Sequence, residues 1–122
     1  MKKVLIVEDD QFIRDMVASK LTQHGFVVDE VGSGNEGYKH VEEAAPDVML
    51  LDLDLPDMRG SEFLEYIRKN EQLARTPVIV FSNDDDGETQ ARINELGVSG
   101  YYIKVETNLD ELIKKIGEIV NL

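Results

Sequence analysis

The chain has 122 residues, which is enough for one domain with a sizeable hydrophobic core. Its formal net charge is −12 at pH 7, which argues against direct binding to nucleic acid, because such binding needs a basic surface. It contains no cysteine, which excludes disulfides and thiolate metal sites, and no signal peptide or membrane span is recognisable, so we expect a cytoplasmic location.

The first strand and the first helix are predicted within residues 1–25. Residues 4–7 are continuously apolar, which is typical of a strand that is buried on both faces of a sheet. Asp10 is suited to cap the helix that follows, and Gly25 is suited to its carboxyl end. The helical spacing predicts an apolar side made of Phe12, Ile13, Met16, Val17 and Leu21.

The middle of the chain contains a second strand, a helix and a third strand. The second strand is shorter and starts at residues 26–28. Ser33 and Glu36 have the spacing of a capping box, which predicts the start of the second helix. The third strand, residues 48–51, is again continuously apolar and ends abruptly in the carboxylate of Asp52. An ionisable group therefore follows a core strand directly, where open α/β sheets position their functional sites.

The second half of the chain continues the alternation of helices and strands. In order, the sequence predicts a helix starting at Gly60 or Ser61, a strand at residues 78–81 ending in Ser82, a helix that stops at Gly97, a strand at residues 101–103 ending in Lys104, and a helix opened by Asn108. The apolar side chains of these helices are expected to face the sheet: Phe63, Leu64, Ile67, Ile93, Leu96, Leu109, Leu112, Ile113, Ile116 and Val120.

This regular alternation predicts the fold class. Five strands that alternate with five helices through short connections indicate an α/β fold, in which a five-stranded parallel sheet has helices on both faces and right-handed crossovers. We find no internal repeat, linker or low-complexity segment in the sequence. We therefore expect residues 1–122 to form a single domain without an effector domain.

Acidic, hydroxyl and basic side chains follow four of the predicted strands: Glu8, Asp9, Asp52, Ser82 and Lys104. Because the carboxyl ends of parallel strands meet at one edge of a sheet, we expect these side chains to converge. Mg²⁺ prefers oxygen ligands and usually retains several waters. The carboxylates of Asp9 and Asp52 could bind such a cation directly, and Glu8 could do so through a water. The backbone carbonyl of Asp54 could add a further oxygen.

The same residues have complementary roles in phosphoryl transfer. Asp52 is predicted to be a nucleophile that attacks phosphorus and forms an aspartyl phosphate. The negative charge on the transferred group would be met by the divalent cation, by the ammonium of Lys104 and by the hydroxyl of Ser82. Taken singly, each residue has a more ordinary explanation as a helix cap, a turn residue or a solvated charge. The functional interpretation depends on their occurring together.

Other acidic and histidine residues are better explained by local structure. Asp10 is expected to serve only as a helix cap. Asp57 and Asp85 are expected to be solvated loop residues. His24 and His40 fall on predicted helices without partner ligands, and we expect both to be surface residues with no catalytic or metal-binding role.

Several residues have a characteristic spacing relative to Asp52: the acidic pair Glu8 and Asp9 after the first strand, Leu55 and Pro56 shortly after Asp52, Gly60 eight residues beyond it, Ser82 thirty residues beyond it, Lys104 fifty-two residues beyond it, and the aromatic Tyr101 near the last strand. With this pattern the whole chain resembles the receiver domain of two-component response regulators, of the chemotaxis-regulator type. The resemblance implies a doubly wound, flavodoxin-like sheet with the strand order 2-1-3-4-5, and it makes Tyr101 the aromatic switch residue.

The resemblance implies a signalling switch rather than a metabolic enzyme. Such a domain takes a phosphoryl group from a phosphohistidine of a sensor histidine kinase or a histidine phosphotransfer protein, with Mg²⁺ or Mn²⁺ bound. It catalyses its own phosphorylation and its later dephosphorylation. The hydroxyl at the Ser82 position then moves toward the phosphoryl group, and the aromatic at the Tyr101 position turns inward. A downstream protein is expected to dock on the face of the fourth helix, fifth strand and fifth helix, or the phosphate is relayed onward; no nucleic acid or membrane partner is expected.

The sequence departs from the family pattern at three places. The proline that usually follows the lysine is replaced by Val105, so we expect a trans peptide bond before it or an altered loop. The serine is followed by Asn83 rather than by a small residue, and this side chain could crowd the phosphoryl pocket or form a hydrogen bond into it. Asp54 and Asp84 occupy two positions that tune the lifetime of the phosphoryl group in the family. We hypothesise that they affect dephosphorylation by repelling or orienting the attacking water.

Three other functions are compatible with parts of the sequence. Asp52 and Asp54 match the Asp-x-Asp motif of small Mg²⁺-dependent phosphatases of the haloacid-dehalogenase type, although that family carries the motif on its first strand and needs a longer chain. A flavodoxin-like FMN module would need a glycine- or hydroxyl-rich loop after the first strand, where this chain has three acids that would repel phosphate. A degenerate receiver that acts only as a binding module is disfavoured by the complete site set: Asp9, Asp52, Ser82 and Lys104.

Overall fold

The computed structural model describes residues 1–120 of the chain. Helices and strands alternate along it in this order: β1 (Lys3–Val7), α1 (Gln11–Gln23), β2 (Val27–Val31), α2 (Gly34–Glu43), β3 (Val48–Leu51), α3 (Gly60–Lys69), β4 (Val78–Ser82), α4 (Gly87–Leu96), β5 (Gly100–Ile103) and α5 (Leu109–Ile119). A short 3₁₀ turn, Lys104–Glu106, lies between β5 and α5. Within residues 1–120, no helix is long and apolar enough to cross a membrane.

The five strands form one parallel sheet in the order β2-β1-β3-β4-β5. This arrangement confirms the predicted α/β fold and its strand order. The strands β1, β3 and β4 lie inside the sheet and are buried along most of their length, which explains why their sequences are continuously apolar. The chain places β2 on one side of β1 and β3 on the other side. Open α/β sheets bind ligands at the carboxyl ends of the two strands where the order of addition switches in this way, here β1 and β3.

The edge strand β2 differs in extent from the prediction. It begins at Val27, one residue later than predicted, and it continues through Asp29 and Glu30 to Val31. Because β2 pairs only with β1, its side chains are only partly buried, and polar residues are tolerated in it. An edge strand therefore lacks the continuous apolar pattern that marked the central strands.

Alternate side chains of the central strands enter two hydrophobic cores, one on each face of the sheet. Val4 and Ile6 of β1 pack with residues of α1 and α5, whereas Leu5 and Val7 pack with residues of α2, α3 and α4. Full burial of one such side chain contributes roughly 1.5–3 kcal/mol. The two cores therefore hold the sheet firmly between two layers of helices and fix the position of its carboxyl edge.

The buried side of α1 is only partly the predicted one. Val17 and Leu21 are buried as predicted, but Phe12 is 76% exposed and Met16 is 40% exposed. Phe12 and Met16 are four residues apart, so they share one side of α1, and that side faces away from the sheet. Helical spacing identifies a broad apolar stripe, but it does not determine which part of the stripe contacts the sheet.

The helix ends follow the capping signals of the sequence. Asp10 accepts a hydrogen bond from the backbone N–H of Ile13 at 3.1 Å, and Ser33 accepts one from Glu36 at 3.2 Å. Gly25 lies just beyond α1 with a φ of +90°, a conformation that side chains other than glycine rarely adopt. The predicted starts of α1 and α2 are therefore confirmed.

Candidate functional site

Four predicted site residues meet at the carboxyl edge of the sheet. Glu8 and Asp52 directly follow β1 and β3, Ser82 ends β4, and Lys104 follows β5. The backbone N–H of Asp52 donates to the carbonyl of Val7 at 3.0 Å, which aligns the ends of the two central strands. Glu8, Asp52 and Ser82 are at most 5% exposed. Their polar groups therefore need hydrogen-bond partners, which Lys104 and backbone N–H groups supply.

Glu8, Asp9 and Asp52 form an acidic cluster. Each offers one carboxylate oxygen, and these oxygens lie within 4.8 Å of one another. Closely spaced carboxylates suit a hard divalent cation such as Mg²⁺ or Mn²⁺, whose charge offsets their mutual repulsion. Asp9 is exposed while the other two residues are buried, so the cluster opens to solvent on one side. These residues therefore fit a cation that retains part of its water shell.

The ammonium group of Lys104 contacts both buried carboxylates. Its Nζ lies 2.5 Å from Oε1 of Glu8 and 3.1 Å from Oδ2 of Asp52. Burial by itself would lower the pKa of Lys104, but hydrogen bonds to the two carboxylates and their charges outweigh this effect and raise the pKa. Lys104 therefore stays protonated at neutral pH and can neutralise an anionic group that approaches Asp52.

The ion pair between Glu8 and Lys104 is not predicted from the sequence, in which Glu8 is expected to bind only the cation. Burial, together with the neighbouring Asp52 carboxylate, raises the pKa of Glu8 to about 7 despite the opposing effect of Lys104. Because the two members of the pair come from opposite ends of the chain, no local pattern reveals the contact. Its only signal is the shared position of both residues at the ends of parallel strands.

Ser82 and Tyr101 are linked through the backbone of Asp84. The Oγ of Ser82 accepts a hydrogen bond from the N–H of Asp84 at 3.2 Å, and the hydroxyl of Tyr101 donates to the carbonyl of Asp84 at 2.5 Å. Tyr101 is half-buried and packs against the core that contains α3 and α4. Burial and nearby acidic residues raise the pKa of Tyr101 to about 12, so its hydroxyl remains a donor. One residue therefore connects the serine to the tyrosine.

Asp54 and Asp84 line a common cleft of about 430 Å³ beside the start of α4. Asp54 is exposed, and its backbone N–H donates to Oδ1 of Asp52 at 3.3 Å. Asp84 is half-buried, and its Oδ1 accepts a hydrogen bond from the N–H of Asp86 at 3.0 Å. The two carboxylates therefore differ in their freedom to reorient, although both residues line the same cleft.

The two unusual residues after Ser82 and Lys104 contact each other. The Oδ1 of Asn83 accepts a hydrogen bond from the backbone N–H of Val105 at 3.1 Å. The peptide bond between Lys104 and Val105 is trans, as predicted. Asn83 therefore directs its side-chain oxygen to the loop after β5.

Asp57 is an exposed loop residue, as predicted, but its carboxylate also contacts α2, which the sequence does not predict. Its carboxylate oxygens accept hydrogen bonds from the N–H of Gly34 at 2.9 Å and of Asn35 at 2.8 Å, at the start of α2. Slight burial opposes these bonds, but they hold the pKa of Asp57 below its ordinary value. The two donors lie 23 and 22 residues earlier in the chain, so a local pattern does not predict the contact.

The two histidines and Asp85 do not belong to the carboxylate cluster. Asp85 is exposed in the loop before α4. The Nδ1 of His24 lies 2.9 Å from the carbonyl oxygen of Lys20. His40 is half-buried rather than the predicted surface residue, and its Nε2 lies 3.0 Å from Oδ2 of Asp29 in β2.

The fold and the carboxyl edge together define a class of protein. This class is a flavodoxin-like α/β domain in which a buried aspartate shares the carboxyl edge of the sheet with an acidic cluster, a serine and a lysine. The sequence model of the response regulator receiver domain matches residues 4–117, and the chain belongs to this family. Receiver domains accept phosphoryl groups from sensor kinases of two-component systems, and they bind Mg²⁺ at an acidic cluster. The resemblance stated from the sequence is therefore confirmed.

Solved structures of similar proteins share the fold. The chemotaxis response regulator CheY4 of Vibrio cholerae has a TM-score of 0.89 and 29% identity, over 98% of each chain. The Mn²⁺-bound form of the response regulator Rcp1 has a TM-score of 0.81 and 26% identity, over 98% of this chain and 91% of that one.

The curated relatives are longer proteins. The CAI-1 autoinducer sensor kinase/phosphatase CqsS of Vibrio cholerae is 30% identical over 116 residues, which are 94% of this chain but 17% of that protein. The chain spans at most 55% of the length of the most similar curated relatives. None of these matches favours a phosphatase of the haloacid-dehalogenase type.

Proposed function

We propose that this chain is a phosphorylation-dependent signalling switch whose phosphoacceptor is Asp52. The observation that carries the proposal is the setting of this carboxylate at the end of a central strand. It is 5% exposed, it lies 3.1 Å from the ammonium of Lys104, and its neighbours Glu8 and Asp9 offer oxygens within 4.8 Å. Membership of the receiver family supports a phosphohistidine of a sensor histidine kinase or phosphotransfer protein as the donor.

In the proposed transfer, a carboxylate oxygen of Asp52 attacks the phosphorus atom of the phosphohistidine. The new O–P bond forms as the P–N bond breaks, and the leaving imidazole takes up a proton. Later, a water attacks the aspartyl phosphate and returns Asp52 and inorganic phosphate. Lys104 and Ser82 supply a charge and a hydroxyl that would contact the phosphoryl oxygens, because both lie at the same edge as Asp52.

A divalent cation, when bound, would supply positive charge that reduces the repulsion between the carboxylate and the phosphoryl group. The Mn²⁺ in the structure of Rcp1 supports this part of the proposal. The carboxylates of Glu8, Asp9 and Asp52 would hold the cation here. The backbone carbonyl of Asp54 is proposed as a further ligand.

Phosphorylation is proposed to shift the loop after β4. If the hydroxyl of Ser82 turns toward a phosphoryl group, it releases the N–H of Asp84, and the carbonyl of the same residue holds Tyr101. The added charge would thus bias a two-state equilibrium at α4, β5 and α5. We propose that a downstream protein docks on this face, that neither nucleic acid nor membrane is a direct partner, and that the protein works in the cytoplasm.

The test uses a small phosphodonor. Purified protein is incubated with acetyl phosphate and Mg²⁺, and its intact mass is measured for the wild type, for Asp52→Asn and for Asp85→Asn. The last variant is a matched control, because it makes the same change at an exposed loop residue. We expect one added phosphoryl group in the wild type and in Asp85→Asn, and none in Asp52→Asn.

Other outcomes distinguish the alternatives. No added mass in any variant, with a phosphodonor that modifies another receiver domain, would favour a degenerate receiver that acts only as a binding module. Steady turnover of a small phosphomonoester would favour the phosphatase alternative.

A further inference from the structure

We infer that Asp57 is a positioning residue for the divalent cation: it anchors on α2 the loop that presents the carbonyl of Asp54, and thereby favours Mg²⁺ over Ca²⁺. The inference rests on the cation site of the proposed function. Asp57 itself is not assigned as a ligand.

The base of this loop, residues 53–60, is closed tightly. The N–H of Gly60 donates to the carbonyl of Leu53 at 2.8 Å. A Cβ at Gly60 would lie 2.6 Å from the Cα of Leu53 and 2.8 Å from the carbonyl oxygen of Asp52, so only glycine permits this approach. The two ends of the loop are therefore fixed against each other next to Asp52.

Two residues near the middle of the loop pair with each other. Asp54 and Arg59 form an antiparallel β-bridge. The N–H of Asp54 also donates to the side chain of Asp52 at 3.3 Å. The backbone of Asp54 is thus restrained at its N–H and by the bridge to Arg59, but the position of its carbonyl, in the next peptide unit, still depends on where the tip of the loop lies.

The tip of the loop is held on α2 by two contacts. The carboxylate of Asp57 accepts hydrogen bonds from the N–H groups of Gly34 and Asn35, at 2.9 and 2.8 Å. These bonds are charge-assisted and lie at a helix N-terminus, which favours a negative charge. Met58 covers Gly34 so closely that a Cβ there would lie 2.4 Å from its sulfur. The tip of the loop is therefore fixed in one position against the start of α2.

The helix does not depend on Asp57 alone for its cap. Ser33 accepts the hydrogen bond from Glu36, and the carboxylate of Glu36 accepts one from Gly32 at 2.7 Å. Loss of the Asp57 carboxylate therefore leaves α2 capped but releases the tip of the loop. Its main consequence is expected at the cation site rather than in the fold.

The geometric demands of the two cations make this inference testable. Mg²⁺ requires near-ideal octahedral coordination, whereas Ca²⁺ accepts irregular geometry and longer bonds. Both ions carry the same charge, so removal of a nearby carboxylate weakens both through its electrostatic contribution. A misplaced carbonyl at Asp54 instead weakens Mg²⁺ selectively. The ratio of the two affinities therefore reports position and not charge.

The experiment measures Mg²⁺ and Ca²⁺ affinities by calorimetry for the wild type, Asp57→Ala, Asp57→Asn and Asp85→Ala. We expect Asp57→Ala to weaken Mg²⁺ binding by about tenfold, as for other residues that support metal ligands, and Ca²⁺ binding by less than about threefold. Asp57→Asn carries the same charge as the alanine variant but keeps a hydrogen-bond acceptor. We therefore expect its ratio of Mg²⁺ affinity to Ca²⁺ affinity to lie between those of the wild type and Asp57→Ala. Asp85→Ala is the control for charge and should leave the ratio unchanged.

Two results would overturn the inference, and they differ from each other. If Asp57→Ala retains a native circular dichroism spectrum and its affinities for both ions fall equally, the positioning role is wrong while the cation site stands. If the wild type binds neither ion, the cation site of the proposed function is wrong, and the inference falls with it.

Discussion

The side-chain oxygen of Asn83 accepts a hydrogen bond from the backbone N–H of Val105 at 3.1 Å. Asn83 directly follows Ser82, and Val105 directly follows Lys104, so this bond ties together the two loops that carry these groups. The pair therefore joins the segments that carry the hydroxyl of Ser82 and the ammonium of Lys104.

Removal of the donor in this bond should slow self-phosphorylation. Val105→Pro eliminates the N–H, whereas Val105→Ala keeps it and removes only an exposed side chain. A hydrogen bond of this kind is worth about 0.5–1.5 kcal/mol, so we expect a rate with acetyl phosphate that is roughly twofold to tenfold lower in Val105→Pro and unchanged in Val105→Ala. Asn83→Ala should match the proline variant. Equal rates in all four proteins would contradict the coupling.

The raised pKa of Glu8 predicts the pH dependence of stability in the metal-free protein. The folded chain retains this proton up to about pH 7, whereas the unfolded chain releases it near 4.5. Because the folded state binds more protons between these values, the free energy of unfolding should fall as the pH rises from about 4.5 to about 7. The pKa of Lys104 is raised from an already basic value and lies outside this window.

Thermal unfolding with a chelator present, between about pH 5 and pH 8, measures this dependence. Glu8→Gln should flatten the decrease. Glu118→Gln removes the same charge from an exposed position, and the decrease in stability with rising pH should remain in this variant. A stability that rises across this range in the wild type would show that the Glu8 carboxyl is not the controlling group.

Gly60→Ala should destabilise the fold through a backbone clash. The new Cβ would lie 2.6 Å from the Cα of Leu53, and neither atom belongs to a flexible side chain. Forced overpacking of this kind costs about 1–3 kcal/mol. Gly117→Ala is the control, because nothing lies within 4 Å of a Cβ at that helical position. Chemical denaturation should show a decrease in the free energy of unfolding for Gly60→Ala and no decrease for Gly117→Ala.

Tyr101→Phe should weaken the link between β5 and the loop after β4. The change removes the hydroxyl that donates to the carbonyl of Asp84, and we expect a loss of about 1 kcal/mol in the free energy of unfolding. Amide chemical shifts of Ser82 and Asp84 should change as well. Tyr102→Phe serves as the control because that ring packs on the opposite face of the sheet. An unchanged amide chemical shift of Ser82 in Tyr101→Phe would show that the serine is not coupled to the tyrosine.

Asp54→Asn should alter the lifetime of the phosphoryl group more than Asp84→Asn does. The carboxylate of Asp84 already accepts a hydrogen bond from Asp86, whereas Asp54 is exposed and follows the phosphoacceptor closely. Its charge is therefore better placed to repel or orient the attacking water. The measurement is the decay of phosphorylated protein after removal of the donor. Identical lifetimes in the wild type and both variants would contradict the tuning hypothesis.

Much of the fold and the candidate site is predictable because the signals are local. Continuous apolar runs such as residues 48–51 predict buried strands, since a parallel sheet is covered on both faces. Capping residues such as Asp10 mark helix starts within a few residues. Once the strands are known to be parallel, their carboxyl ends must share an edge, and this brings Asp52 and Lys104 together.

Only the tertiary structure decided how the side chains at this edge pair. It buries Glu8 against Lys104, directs Asn83 to Val105, and attaches Asp57 to α2. Each of these contacts joins residues that are more than twenty positions apart, so no period or local pattern encodes it. The sequence by itself determined the elements and the residues at the ends of the strands, because helix and strand periodicities are short-range. The side-chain contacts depend on packing between elements that meet only when the chain is folded.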